Sequence, residues 1–204
     1  MIVYVESNFP LELARQQEQF QDAEQLLQLA EARQIHLRFP ELSLGEPFGA
    51  LDRYANARNR FLADMERQLS DLNRSQPHQP LVADLHTLVS TLVRLRRDET
   101  DRLEATVERM LACGKSLSLT LDLFRQARLA EQNLDLSPQD AIVLTCVLND
   151  LRSIPQPRMN SCFISRNSRD FAAARNDLLA LNCRYIAKFA DAVAFIRNQI
   201  QPNK

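Results

Sequence analysis

The first forty residues constrain the fold of this chain more than any other stretch. Met1-Ile2-Val3-Tyr4-Val5 is an apolar, β-branched run that reads as a strand. A polar helical segment follows, whose Leu13, Phe20, Ala23, Leu27 and Ala30 fall at spacings of seven, three, four and three, the rhythm of one helical face. Ile35-His36-Leu37-Arg38-Phe39 then alternates with period two and stops at Pro40. A strand, a helix of about twenty residues and a second strand imply a parallel pair joined by a right-handed crossover.

The remainder extends that unit. A long helical pattern runs from Pro47 to about Asp71 through Phe48, Leu51, Ala55, Phe61 and Leu62. Two prolines among polar neighbours, Pro77 and Pro80, break it. A second pattern rises at Leu81 and continues through Leu85, Leu88, Leu92, Leu95 and Leu103 toward Leu111, with Gly114 as its stop. These segments predict an antiparallel helical hairpin over about residues 47–112. Helices are predicted at 119–131, 138–152 and 172–181 and through Ile200, with short strands at 162–165 and 184–187. Strands separated by helices along the whole chain predict an α/β fold with an open parallel sheet, in a single domain over 1–204.

Composition removes several function classes. Only three glycines occur, Gly45, Gly49 and Gly114, so no glycine-rich phosphate cradle or dinucleotide fingerprint can be built. The longest apolar stretch, Ala141 to Leu148, is far too short to span a bilayer, and no membrane association is expected. Cys113, Cys146, Cys162 and Cys183 contain no C-x-x-C pair, and His36, His78 and His86 are scattered, so a structural zinc site is not expected. Four thiols in apolar stretches and no leader-like opening point to a reduced, cytoplasmic setting. The 25 Lys and Arg balance 26 Asp and Glu, so a nucleic-acid face must be local. The cations are 22 Arg and only three Lys, which suits bidentate phosphate recognition as well as it suits codon bias.

Four acids fall where an open α/β sheet places its ligands, at the carboxyl ends of strands and the heads of the following helices. Glu6 ends the first strand and Asp170 follows the strand at 162–165; Glu46 and Asp140 each begin a helix. Convergent carboxylates repel one another unless protons or cations occupy the site, and oxygen ligands without His or Cys favour Mg²⁺ or Mn²⁺. Two of the acids also have a structural reading. Ser43-Leu44-Gly45-Glu46 and Ser137-Pro138-Gln139-Asp140 both place an acid three residues after a serine, the spacing of a capping box.

The ordered set of motifs resembles the PIN-domain family of metal-dependent nucleases. Its opening strand ends in an acid followed by Ser or Thr and Asn, here Val3-Tyr4-Val5-Glu6-Ser7-Asn8-Phe9. The second acid heads a helix, here Ser43-Leu44-Gly45-Glu46-Pro47, and the third stands in Leu136-Ser137-Pro138-Gln139-Asp140-Ala141. The fourth block is Phe163-Ile164-Ser165-Arg166-Asn167-Ser168-Arg169-Asp170-Phe171. Two positions depart from the family pattern. Glu6 stands where Asp is usual, and the fourth acid aligns with neutral Asn167, leaving Asp170 to supply charge from the next turn.

The resemblance implies a three-layer α/β/α fold with an enlarged hairpin, and hydrolysis of phosphodiester bonds. Glu6, Glu46, Asp140 and Asp170 would be the catalytic acids, holding Mg²⁺ or Mn²⁺ together with Asn167. Ser7 and Asn8 would hydrogen-bond the acids. RNA is the implied substrate, with structured DNA as the less common one, and a toxin-antitoxin setting brings an inhibitory protein partner or a homodimer into view. For the nucleic-acid backbone, Arg53 and Arg60 share a helix face about 10 and 21 Å along from Glu46, and Arg166 and Arg169 flank the other side. A catalytically inactive PIN-like module that binds RNA or a protein is the alternative. A phosphoacceptor domain, which also carries acids on a rim, is set aside for want of a paired acid beside Glu6 and of a lysine after a late strand.

Overall fold

The computed structural model describes residues 1–72, 74, 76, 79–154, 160–167, 171 and 173–200, with the side chains of 79–87 outside that description. Five strands form one all-parallel sheet: β1 (Ile2–Val5), β2 (His36–Pro40), β3 (Lys115–Leu117), β4 (Ser161–Ile164) and β5 (Cys183–Ile186). Their order is β3-β2-β1-β4-β5, which puts β1 at the centre. In register, Ile2 pairs with His36 on one side and with Ser161 on the other.

Alternation along β1 sorts the core into two layers. Val3 and Val5 face a cluster built with Phe9, Leu26, Leu27 and Phe189. Those residues belong to α1 (Asn8–Arg15), α2 (Phe20–Glu31) and α8 (Phe189–Ile200). Ile2 and Tyr4 face the opposite cluster, with Leu123, Leu144, Val147, Phe163 and Leu178. That layer comes from α5 (Leu121–Leu134), α6 (Pro138–Ser153) and α7 (Arg175–Ala180). The result is a three-layer α/β/α architecture in which every residue of β1 is buried, as a parallel sheet covered on both faces requires. A long helical pair, α3 (Leu42–Leu72) and α4 (Gln79–Cys113), extends from it, tied to α1 through Ala14, Leu51 and Leu103.

Several boundaries depart from the sequence expectations. The sheet has a fifth strand, β3, which begins directly after α4. Gly114 ends that helix for a different reason from the one expected: its φ is not positive, but a Cβ there would meet Phe39 Cε1 at 2.7 Å and the Met110 carbonyl at 2.9 Å. Close approach of β3 to β2 demands the glycine. The predicted twenty-residue first helix is two helices, broken at Gln16, which adopts the left-handed region. The hairpin begins at Leu42, five residues before Pro47, because the Glu41 N–H bonds the Leu117 carbonyl at the sheet edge and the chain turns straight into helix.

All four cysteines are free, with Cys146, Cys162 and Cys183 buried and Cys113 half-buried. Among the described residues no helix is long and apolar enough to cross a membrane. Lys188 does follow β5, so the lysine argument against a phosphoacceptor domain does not hold. The strand order argues against it instead: 3-2-1-4-5 is not the 2-1-3-4-5 order of that fold.

Candidate functional site

The chain leaves β1 toward one face to reach β2, and later crosses the other face to reach β4. A crevice therefore opens at the carboxyl ends of β1 and β4, the switch point at which open α/β sheets bind ligands. The last paired residues are Val5 and Ile164, so Glu6 and Ser165 stand side by side at its floor.

Glu6 is only 5 % exposed. The Ser7 hydroxyl donates to its Oε2 at 2.8 Å, the Asn8 N–H to the same oxygen at 3.0 Å, and Asn8 Nδ2 to Oε1 at 2.6 Å. Ser7 occupies the N-cap position of α1 without capping it, because its hydroxyl is spent on Glu6. Burial pushes the Glu6 carboxyl above the ordinary glutamate range; the bonds from Asn8, Ser7 and the Ser165 hydroxyl oppose that shift without cancelling it. Every one of these donors is neutral.

Ser165 extends the network. Its fully buried hydroxyl also accepts the Asn167 N–H at 3.0 Å, and its carbonyl accepts from Tyr185 Oη at 2.7 Å. Asn167 Nδ2 in turn donates to Asp140 Oδ2 at 3.4 Å. Asp140 is set by the predicted capping box at the head of α6: its N–H reaches Ser137 Oγ at 3.1 Å, and Ser137 Oγ donates to Oδ2 at 2.6 Å, with Pro138 at the first helical position. A continuous hydrogen-bonded line thus joins Glu6, Ser165, Asn167 and Asp140 across three segments of the chain.

The other predicted positions stand differently. Glu46 lies in the second turn of α3, half-buried, with no hydrogen bond or ion pair to a described residue. The Ser43–Glu46 capping box does not form, because Ser43 is already inside the helix; its hydroxyl is buried without a partner. Arg53 and Arg60 are exposed on α3 and make no ion pair with a described residue. Asp170 and Arg169 lie outside the described residues.

Arg166 is engaged elsewhere. Its guanidinium binds Glu12, which is 1 % exposed, and Glu18. Glu12 Oε1 also accepts the Gln19 N–H at 2.6 Å, and Gln19 Oε1 accepts the Phe189 N–H at 2.8 Å. This knot sits at the break between α1 and α2, where the Glu12 carboxylate, within α1, receives the N–H of Gln19, the N-cap residue of α2. It also anchors the loop carrying Asn167 to α1, α2 and α8. Sequence reading missed both Ser165 and Glu12. A signal existed for the second: Glu12 follows Phe9 by three and precedes Leu13, so it sits on the apolar stripe of α1.

Among the described residues no three His, Cys, Asp or Glu side chains come together to hold one ion. The residues that do assemble offer two carboxylates and an amide oxygen. That donor set fits a hard divalent ion such as Mg²⁺, which takes one or two carboxylates, keeps several waters and leaves positions for substrate phosphate. Glu6, Asp140 and Asn167 are the residues that would hold it. No family model matches this chain, and no curated protein or solved structure matches it.

Proposed function

We propose that this chain is a PIN-like, metal-dependent endoribonuclease that hydrolyses phosphodiester bonds at the crevice between β1 and β4. The observation that carries the reading is the hydrogen-bonded line from Glu6 to Asp140, which links two of the four family acids and the Asn167 position at the switch point. A bound Mg²⁺ or Mn²⁺ supplies Lewis acidity, offsetting phosphate charge and acidifying a coordinated water. The chain's own groups hold the geometry. Ser7, Asn8 and Ser165 fix both oxygens of Glu6, and Asn167 and Ser137 fix Asp140, so little reorganisation is left for the reaction. Glu46 and Asp170 complete the acid set by resemblance, RNA is the partner, and the cytoplasm is the compartment.

Calorimetric titration with Mn²⁺ tests the reading. Wild type is expected to bind and Asp140→Asn to lose binding, and wild type with Mn²⁺ is expected to cleave mixed-sequence RNA while Asp140→Asn and Glu46→Gln do not. Binding indifferent to Asp140, or intact RNA after incubation with the metal-loaded protein, overturns it. One observation favours the inactive RNA- or protein-binding module as the second reading: no three metal-ligating side chains assemble among the described residues. Tight RNA binding without metal-dependent turnover is its signature.

A further inference from the structure

We propose that the solvent face of α3 carrying Arg53, Tyr54, Arg60 and Phe61 is a track for single-stranded RNA leading away from the crevice. This rests on the nuclease reading for the identity of the polymer, and it adds where on this chain the polymer runs. α3 starts at Leu42, two residues beyond the end of β2, so it rises from the same carboxyl rim as Glu6. Glu46, Arg53 and Arg60 follow one another at seven-residue intervals and share one helix face, about 10 Å apart along the axis. They lie opposite the stripe of Leu51, Ala55, Leu62 and Leu69 that α3 buries.

Neither arginine makes an ion pair with a described residue, which is unusual for the hairpin. Arg58 is bound by Glu99, Arg96 by Asp52, Arg94 by Asp98, Arg97 by Asp101 and Arg67 by Asp64. Arg53 and Arg60 have no such partner among the described residues, and the segment Arg53–Phe61 contains no acid at all. Two free guanidiniums on one ridge suit phosphates, which they bind bidentately.

Each free arginine is followed by an exposed aromatic. Tyr54 is 42 % exposed and Phe61 is 56 % exposed, again seven residues apart. Arg15 lies 4.1 Å from the Tyr54 ring centroid and holds that ring in place. The neighbours that share this exposed surface are Asn56, Ala57 and Asn59, without a large aliphatic side chain among them. A protein-docking face needs a contiguous apolar centre. Isolated rings set between cations are instead the arrangement that stacks bases and tracks a backbone without reading sequence. Gly49 keeps the head of the track low: the nearest atom to a Cβ there is Arg53 Nη1, at 3.6 Å.

The test is fluorescence anisotropy of a labelled, mixed-sequence single-stranded RNA with the full chain in EDTA, across a salt series. Arg53→Gln/Arg60→Gln is expected to weaken binding tenfold or more and to lower the salt slope by about 1.4, the value for two phosphates on a single strand. Phe61→Ala is expected to weaken binding at least fivefold, while Arg152→Gln/Arg197→Gln, elsewhere on the surface, leaves it unchanged. Unchanged affinity and slope in the Arg53/Arg60 variant overturns the track, even where wild type cleaves RNA with Mn²⁺ and the nuclease reading stands. Binding that depends on α3 without any cleavage in Mn²⁺ upholds the track and removes the nuclease reading. Self-association abolished by Phe61→Ala, with RNA affinity unaltered, assigns the face to a second copy and overturns the proposal.

Discussion

Two carboxylates lie against the central strand of this protein, and they are kept in opposite ways. Asp150, near the end of α6, sits beneath the sheet, where Tyr4, Arg38 and Lys115 form one row across β1, β2 and β3. All three reach it: Tyr4 Oη donates to Oδ2 at 2.7 Å, Arg38 binds the same oxygen, and Lys115 Nζ lies 3.2 Å from Oδ1. Burial drives the Asp150 carboxyl upward, yet the bonds from Tyr4 and Arg38, the Arg38 charge and Lys115 together hold it below the ordinary aspartate value. Glu6 has as many hydrogen bonds and no cation, and its carboxyl is raised. Position explains the difference. Asp150 pins α6 to three strands and is finished as it stands, whereas Glu6, at the floor of the crevice, is a buried carboxyl held only by neutral donors. A buried acid in a cleft whose carboxyl is raised in this way is a candidate functional group.

Removing the compensated acid has the largest expected effect. Asp150→Ala leaves Arg38 facing the apolar underside of the sheet and Tyr4 without its acceptor, and breaking such a buried pair costs about 3 kcal/mol. Chemical denaturation checks this, and a loss under about 1 kcal/mol would deny Asp150 its role as the pin. Affinity for Mn²⁺ in the variant, measured below its unfolding transition, is expected to match wild type, because the crevice contains none of the Asp150 network.

The pH dependence of stability separates the two acids by sign. The folded pKa of Glu6 is raised, so its contribution is fully present below its unfolded value and is lost as pH rises through the folded one. Wild type should therefore gain stability relative to Glu6→Gln on acidification from neutrality, with the gain levelling off below about pH 4.5. For Asp150 the folded pKa is depressed, so its contribution is present above the unfolded value and is lost as pH falls through the folded one. The gap between wild type and Asp150→Ala should close in strong acid. Thermal melts of the three proteins over a pH series read both trends, and parallel curves would mean that the two carboxylates are not kept differently.

How far all this was legible in the sequence depended on the range of the interactions involved. β1, β2 and the head of α6 were legible because local pattern decides them: a β-branched run, a period-two alternation, and a serine cap with proline behind it. β3 was not, because Lys115-Ser116-Leu117 becomes a strand only through β2 and the close approach at Gly114. The break between α1 and α2 was hidden because the Glu12 carboxylate, inside α1, is shared between the Gln19 N–H ahead of α2 and Arg166, more than 150 residues away. In the crevice, Glu6, Asp140 and Asn167 were visible as positions, and so were Ser7 and Asn8 as partners. Ser165, which ties them together, carries no periodic or motif signal of its own. Arg166 was read as a phosphate contact because sequence gives the charge of a residue and not the buried acid that claims it.

The smallest expected effect concerns the crevice itself, where two identical-looking helix heads differ. Ser137 and Ser43 each precede an acid by three residues, but only Ser137 caps. Its replacement by alanine removes the bond to the Asp140 N–H and should cost about 1 kcal/mol. Ser43→Ala should cost nothing or slightly stabilise, since a buried hydroxyl without a partner has no bond to lose and a desolvation penalty to shed. Pro47, four residues on, has no N–H to return to the Ser43 carbonyl, so this first turn is held by packing rather than by capping. The consequence reaches the acids. Asp140 is held by Ser137 and Asn167, while Glu46 is placed by its helix alone, with no hydrogen bond to a described residue. Paired denaturation curves for Ser137→Ala and Ser43→Ala measure the difference, and equal losses would show that both heads are capped and both acids preset.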